Sequence, residues 1–146
     1  MMGRVRGKNT KPELLVRKAL HHRGYRYRLH DRRLPGRPDI HLPKWSAVIQ
    51  INGCFWHGHD CPLFRLPGTR REFWREKIDR NRSNDRRNTA LLLADGIRVA
   101  TVWECALRGQ PGQPVDDIAE RLADWLDGDL PVLDVRAAAP IGRRAG

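Results

Sequence analysis

Three stretches of the chain repeat apolar residues at helical spacing, and each predicts a helix with one buried face. The first follows Thr10-Lys11-Pro12-Glu13, a capping-box pattern with proline in the first turn. This helix should run to about Arg23 and end at Gly24. Four apolar side chains should face the core. They are Leu14, Leu15, Ala19 and Leu20.

The second and third helices lie in the C-terminal half. Thr69-Arg70-Arg71-Glu72 is another capping-box pattern, and it should open a long helix to about Ala94, stopped by Asp95-Gly96. The third helix should span residues 115–127 and stop at Gly128. Its inward face is predicted to carry Ile118, Leu122, Trp125 and Leu126.

Four short runs with alternating or continuous apolar residues are typical of strands. They cover residues 25–29, 39–42, 46–51 and 97–103. The segment 34–38 breaks the chain, and Pro43-Lys44 should turn the second strand into the third. This order of elements predicts one mixed α/β domain, with a central sheet and helices on its faces. We place the domain at residues 12–128, after a basic arm (1–11) and before a patternless, mobile tail (129–146).

The chain is strongly basic. Among 146 residues, 28 Lys+Arg oppose 17 Asp+Glu, giving a formal charge of +11 and a pI near 10.7. This balance favours a polyanionic partner such as nucleic acid, the alternative being a merely basic surface. No apolar run is long enough for a membrane span and no signal peptide is visible, so we expect a cytoplasmic protein.

Cys54, His59 and Cys61 supply three metal ligands at short spacing, and Cys105, after a predicted strand, can return as the fourth. A set of three cysteines and one histidine is common for closed, structural zinc sites. It also uses an odd number of cysteines without a disulfide. The alternative is that Cys54 and Cys105 are small buried apolar residues.

Pro38-Asp39, at the start of a predicted strand, offers a carboxylate for Mg²⁺, and the carbonyl of Ile51 on the partner strand offers a second oxygen. Ordinary turn chemistry explains an aspartate after proline equally well. Glu13 is similarly ambiguous, because it is either the glutamate of a capping box or a residue of the site.

His57 remains once the zinc set is complete, and a neutral imidazole suits a general base that activates water. Its orienting partner is predicted on the long helix, where five side chains share one polar face. They are Trp74, Lys77, Asn81, Asp85 and Asn88. We assign Asp85 to His57 and place Lys77 and Asn81 near phosphate, the alternative being a solvated helix face.

Phe55-Trp56 lie between zinc ligands, and we expect them to be exposed. Aromatic wedges that enter a base step recover the unstacking energy through contacts to deformed DNA. Trp74 is a third candidate wedge, with packing on the sheet as the alternative.

Together these residues resemble the very-short-patch-repair DNA mismatch endonucleases, from about Arg4 to Trp125. The resemblance rests on five segments. They are Arg6-Gly7-Lys8-Asn9-Thr10-Lys11-Pro12-Glu13, Leu34-Pro35-Gly36-Arg37-Pro38-Asp39, Gly53-Cys54-Phe55-Trp56-His57-Gly58-His59-Asp60-Cys61, Thr69-Arg70-Arg71-Glu72-Phe73-Trp74 and Val102-Trp103-Glu104-Cys105-Ala106-Leu107-Arg108-Gly109.

The resemblance implies a restriction-endonuclease-like fold with structural zinc, in a monomer of the bacterial cytoplasm. It implies Mg²⁺-dependent nicking of double-stranded DNA on the 5′ side of the thymine in T:G mispairs, which arise when 5-methylcytosine deaminates. Stimulation by mismatch-repair proteins stays open. The matched residues are Asp39 for magnesium, His57 and Asp85 for the base and its partner, Glu13 near the site, Cys54, His59, Cys61 and Cys105 for zinc, and Phe55, Trp56 and Trp74 for the DNA.

Two departures from the family pattern matter. Some members carry a catalytic histidine at the position of Asn52, and asparagine cannot shuttle protons, so Asn52 is expected to position water or phosphate. Relatives also have a longer basic arm, whose loss should lower affinity more than chemistry.

Two other functions stay open at this point. One is a nuclease of broader mismatch or restriction-like specificity. The other is a non-enzymatic zinc module that binds DNA, in which Asp39 and His57 have no role.

Overall fold

A five-stranded mixed sheet forms the centre of the protein in the computed structural model, which describes residues 11–54, 57, 66, 68–108 and 114–136. The helices are α1 (Lys11–His22), α2 (Arg71–Ala94), α3 (Glu104–Arg108) and α4 (Val115–Asp127). The strands are β1 (Arg28–Leu29), β2 (Ile40–Leu42), β3 (Ala47–Asn52), β4 (Arg98–Trp103) and β5 (Val132–Val135). The predicted α/β domain with a central sheet is therefore confirmed.

The strands lie in the order β1-β2-β3-β4-β5, antiparallel from β1 to β3 and parallel from β3 to β5. A single 3₁₀ turn, Pro43–Trp45, joins β2 to β3, which confirms the turn predicted at Pro43-Lys44. Parallel neighbours need longer crossovers. These crossovers run through α2, between β3 and β4, and through α3 and α4, between β4 and β5.

Helices cover both faces of the sheet. On one face, α1 and α4 pack against the side chains of Ile40, Ile49 and Ala100. On the other, Leu92 of α2 packs on Val48 and Val99. Since adjacent residues of a strand point to opposite faces, this alternation gives the sheet two apolar sides and explains the apolar runs in β3 and β4.

The predicted helices are confirmed, with differences at their faces and ends. In α1, Ala19 and Leu20 are buried as predicted, but Leu14 and Leu15 are 38% and 39% exposed, so that part of the prediction is wrong. Glu13 and Val16 occupy the buried positions instead. Residues 13, 16 and 20 share one face of the helix, and this face points inward. Leu14 and Leu15 therefore lie on the side that faces solvent.

The long helix α2 ends as predicted, at Asp95 and a left-handed Gly96 (φ 78°). The capping box predicted at its start is wrong. The residue before α2 is Arg70, itself left-handed (φ 54°), and no side-chain hydrogen bond caps the helix. Thr69 is therefore one residue too early to act as the cap.

In α4 the predicted inward residues Ile118, Leu122, Trp125 and Leu126 are all buried, and Gly128 follows the helix. The prediction of a patternless tail from residue 129 is wrong for Val132–Val135, because these residues form β5 and pair with β4. Three of the four β5 side chains keep some exposure, so this edge strand shows little apolar pattern.

The predicted strand at 25–29 is reduced to Arg28–Leu29. The basic arm, apart from Lys11, and residues 137–146 lie outside the described residues. Within the described part of the chain, no helix is both long and apolar enough to cross a membrane.

Candidate active site

Several predicted site residues meet at one end of the sheet, where β2 begins and β3 and β4 end. Asp39 directly precedes β2, and Asn52 and Trp103 are paired as the last residues of β3 and β4. The carboxyl ends of parallel strands are a common place for ligand sites in open α/β sheets. The chain therefore brings polar residues from distant segments to one edge.

Glu13, His30 and Asp39 form a compact acidic cluster at this edge. One potential ligand atom of each lies within 4.8 Å of the other two. His30 Nε2 is 2.7 Å from Glu13 Oε2 and 3.9 Å from Asp39 Oδ1. The Glu13 side chain is only 2% exposed, and Arg17 Nη1 donates to the same oxygen at 3.3 Å. Glu13 thus projects into the cluster, while Thr10 of its predicted capping box lies outside the described residues.

Asp39 is held by the strand beside it. Its Oδ2 accepts a 2.7 Å hydrogen bond from the backbone N–H of Ile51. Burial raises the pKa of Asp39 to about 7, and the Glu13 carboxylate also raises it, while the Ile51 N–H and His57 act in the opposite direction. Two carboxyl groups held close together away from water are a favourable place for a cation.

The loop that delivers Asp39 is itself fixed. Asp31 is buried and accepts hydrogen bonds from the backbone and guanidinium of Arg33 and from His41 Nδ1. The Arg33 hydrogen bond holds the pKa of Asp31 well below its usual range. Further along the loop, Gly36 (φ 77°) lies so close to α2 that a Cβ there would be 2.9 Å from Asn88 Nδ2.

His57 and Asp85 form a hydrogen-bonded pair. His57 Nδ1 lies 2.5 Å from Asp85 Oδ2, and both side chains are about one-quarter to one-third exposed, at 26% and 33%. The structure thus places Asp85 where the polar face of α2 predicted it. A carboxylate on Nδ1 fixes the ring orientation and directs Nε2 away from the partner.

Trp103 supports the same histidine from β4. Its ring meets His57 edge-on, with centroids 6.1 Å apart, and its Nε1 donates a 2.7 Å hydrogen bond to Asp134 Oδ1. Asp134 belongs to β5, so the edge strand absent from the sequence prediction reaches the site through Trp103.

An open groove of about 450 Å³ runs between α2 and the ends of β3 and β4. Its lining is formed by Gln50, Asn52, Asp85, Arg86, Thr89, Ala90, Leu93, Thr101 and Trp103. Asn52 is one of these lining residues and is only 8% exposed. The groove therefore links Asn52 to Asp85, the hydrogen-bond partner of His57.

The polar face of α2 is half-buried, which excludes a fully solvated helix face. All five predicted members share this intermediate exposure. They are Trp74, Lys77, Asn81, Asp85 and Asn88. Trp74 also meets Phe73 edge-on at 5.1 Å between ring centroids.

The zinc set is described only in part. Cys54 and Cys105 are both buried, and the N–H of Cys54 donates to Glu104 Oε1 at 3.2 Å. Cys54 lies two residues after Asn52, and Cys105 lies two residues after Trp103. Because Asn52 and Trp103 are paired at the ends of β3 and β4, the two cysteines leave the sheet from neighbouring strands. His59 and Cys61 lie outside the described residues, as do the predicted DNA-contacting residues Phe55 and Trp56.

His30 is the site residue that sequence reasoning missed. Its backbone N–H donates to the carbonyl of Asp39 at 3.0 Å, as an extension of the β1–β2 pairing. The pairing of the strands at 25–29 and 39–42 would have placed His30 opposite Asp39. This pairing was not visible, because the irregular segment 31–38 separates the two strands.

A cluster with two carboxylates and a histidine, a histidine–carboxylate pair and a chain charge of +11 are together typical of a hydrolytic enzyme that acts on a polyanion. Comparison with known proteins specifies the class. The family model described as DNA mismatch endonuclease Vsr matches residues 1–63.

Individual relatives extend the match over most of the chain. Type II nicking enzyme V.XorIIP of Xanthomonas oryzae pv. oryzae is 51% identical over 107 residues, 73% of this chain and 79% of that protein. DNA mismatch endonuclease Vsr of Escherichia coli is 42% identical over 128 residues, 88% of this chain and 82% of that protein. Type II nicking enzyme V.NmeAIP of Neisseria meningitidis is 44% identical over 110 residues, 75% of this chain and 79% of that protein.

The chain belongs to the Vsr DNA mismatch endonuclease family and is a DNA-nicking endonuclease. The family resemblance seen in the sequence is therefore confirmed, and a non-enzymatic DNA-binding module is excluded.

Proposed function

We propose that this protein nicks double-stranded DNA on the 5′ side of the thymine in T:G mispairs, using Mg²⁺ or a similar divalent ion. The observation that carries the proposal is the His57–Asp85 pair beside the Glu13–Asp39 carboxylates. Hydrolysis of a phosphodiester by water is accelerated by a general base and by a bound cation, and this edge of the sheet carries candidates for both. The identity of 42% with an enzyme named DNA mismatch endonuclease supports the mismatch as substrate.

In this proposal His57 is the general base. Asp85 holds Nδ1, so the ring presents Nε2 to the attacking water and takes its proton. The carboxylate also stabilises the imidazolium that forms, because opposite charges lie in contact. Asn52 lines the groove, cannot serve as a base and is assigned to positioning water or phosphate.

Asp39 and Glu13 are the carboxylates that would hold the metal. The raised pKa of Asp39 supports this fit, because burial and then the Glu13 carboxylate disfavour its negative charge, which a bound cation would compensate. Ile51 directs its N–H toward Asp39. The N–H and C=O of one strand residue project to the same side, so the Ile51 carbonyl is assigned as a further oxygen. When bound, the ion would polarise the phosphate and stabilise the leaving oxygen.

DNA contacts are assigned to the face of α2 and to the loop before it. Asn81 and Lys77 lie on the same half-buried face as Asp85, one and two turns earlier, and are placed near phosphate. Trp74 lies one further turn before Lys77, and with Phe55 and Trp56 it is proposed to enter the DNA beside the mismatch.

A structural zinc ion bound by Cys54, His59, Cys61 and Cys105 is proposed to hold the loop that carries His57. The side-by-side segments of Cys54 and Cys105 support it. Four protein ligands leave no position for water, so this ion would have no catalytic role. The order of α1, three antiparallel strands, α2 and β4 also supports a restriction-endonuclease-like fold.

A broader specificity is the second candidate. The two type II nicking enzymes described above are 51% and 44% identical to this chain. A mismatch panel separates the two candidates. With Mg²⁺, a T:G duplex should be nicked once, and the other mispairs and paired DNA should stay intact. Cleavage of several mispairs would favour broader specificity, and intact T:G DNA, with and without methylated context, would refute the proposal.

Replacing His57 by alanine tests the mechanism. Nicking should fall by about 10²–10⁴-fold, because water loses its base, while binding to the same duplex stays nearly unchanged. His22→Ala is the matched control, since His22 is exposed at the end of α1. Equal nicking rates for the two variants would remove His57 from the reaction.

A further inference from the structure

We propose that His30 is a direct nitrogen ligand of the divalent metal at the Glu13–Asp39 cluster, and that it shifts the preference of the site toward Mn²⁺. This inference rests on the metal dependence proposed above. It goes further, because it adds a ligand of a different chemical kind to two carboxylates.

The distances fit one coordination sphere. An octahedral Mg²⁺ or Mn²⁺ ion with bonds of about 2.1 Å separates neighbouring ligand atoms by about 3 Å and opposite ones by about 4 Å. His30 Nε2 is 2.7 Å from Glu13 Oε2 and 3.9 Å from Asp39 Oδ1. The Glu13 and Asp39 oxygens lie within 4.8 Å of each other. A single ion can therefore bind all three atoms after small side-chain shifts, of less than about 1 Å.

The backbone conformation of His30 gives a second reason. His30 is left-handed (φ 48°), directly after β1 ends at Leu29. This conformation is unfavourable for residues other than glycine and persists where the surroundings require it. Here it ends the regular alternation of β1, and the side chain meets the two carboxylates at 15% exposure.

The donor set decides which ion is favoured. Carboxylate oxygens suit Mg²⁺ and Mn²⁺ alike, whereas an imidazole nitrogen is a poor ligand for Mg²⁺ and a better one for transition metals. Two oxygens and one nitrogen should therefore bind Mn²⁺ more tightly than Mg²⁺. If His30 only held Glu13 through a hydrogen bond, it would not change the choice between the ions.

Pulsed electron paramagnetic resonance of Mn²⁺ bound to the whole protein tests this directly. We expect the hyperfine coupling of one imidazole nitrogen in the wild type and its loss in His30→Gln, which keeps a donor for Glu13. His57→Gln and the exposed His22→Gln are the matched controls, and both should retain the coupling. Coupling that survives in His30→Gln, or is lost in His57→Gln instead, would overturn the assignment.

Metal affinity gives an independent readout. Titration of the DNA-free protein should show Mn²⁺ affinity falling on the order of tenfold or more in His30→Gln, and Mg²⁺ affinity changing much less. Equal losses for both ions would refute the nitrogen-ligand role. A wild type that binds neither ion would refute the metal site itself, whereas Mn²⁺ bound without nitrogen coupling would refute only the role of His30.

Discussion

Two features of its surroundings disfavour the negative charge of Asp39 when no cation is bound. Its side chain is only 17% exposed, and Glu13 lies close to it in the acidic cluster. Its pKa is therefore raised from 3.8 to about 7 by burial first and by Glu13 second. A carboxyl group with a raised pKa binds its proton more tightly in the folded than in the unfolded protein.

This property predicts a pH dependence of stability for the metal-free protein. The contribution of Asp39 is fully present below pH 3.8 and is lost as the pH rises through about 7. Across this window the free energy of unfolding should fall by at most about 1.4 kcal/mol per pH unit from this group. Asp39→Asn should remove that part of the slope and also abolish nicking. Urea unfolding in the presence of a chelator measures both proteins.

The exposed carboxyl of Asp79 provides the control, because Asp79→Asn should keep the slope of the wild type. A slope that is identical in the wild type and Asp39→Asn would show that the folded protein holds Asp39 with an ordinary pKa.

At the residue scale, sequence reasoning reached those site residues that have a local signal. Asp85 followed from helical spacing along α2, and the structure places it against His57. Asp39 followed from its position at the start of a strand. His30 has no such signal, since its role depends on a left-handed backbone and on pairing across an irregular loop.

At the scale of elements, regular periodicity was sufficient for the helices and the central strands. The buried face of α4 has a strong helical pattern, so its inward residues could be named. The edge strands β1 and β5 have two and four residues and several exposed side chains, so they resemble loops in the sequence. Such short segments become strands through pairing with a neighbouring strand, and the sequence does not show which segments will be neighbours.

Arg98 joins three elements at the end of the sheet opposite the active site. Its guanidinium donates to the carbonyls of Trp125, Leu126 and Gly128, at the C-terminus of α4, and to that of Trp45 in the β2–β3 turn. It also lies 4.8 Å from the centroid of the Trp125 ring. The last carbonyls of a helix lack intrahelical donors, and a cation there also complements the helix dipole.

Arg98→Ala should therefore lower the free energy of unfolding by about 2–4 kcal/mol. Arg98→Lys should recover only part of this loss, because an ammonium keeps the charge but cannot span four carbonyls. Urea unfolding measures both variants, with the exposed Arg80→Ala as control. A lysine variant as stable as the wild type would reduce the role of Arg98 to its charge.

At the scale of the whole molecule, a formal charge of +11 accompanies a site built from carboxylates. In the proposed mechanism the basic groups bind the DNA backbone and the carboxylates bind the metal, so binding and chemistry depend on different groups. Phosphate contacts position a protein on DNA without reading sequence.

Affinity for DNA should consequently depend strongly on salt, while the preference for T:G should not. With about six phosphate contacts, affinity falls by about 10³-fold between about 50 and 200 mM salt. Fluorescence anisotropy with T:G and paired duplexes should give parallel lines of log affinity against log salt. Lines that converge as salt rises would show that discrimination itself depends on phosphate contacts.

The bond between Trp103 and Asp134 has a consequence for the newly made chain. His57 and Asp85 leave the ribosome well before Asp134, which holds the ring that packs on His57. A nascent chain that ends before β5 has its base and the partner of its base but lacks the strand that steadies them. The order of synthesis therefore delays a fully supported site until β5 has been made and has paired with β4.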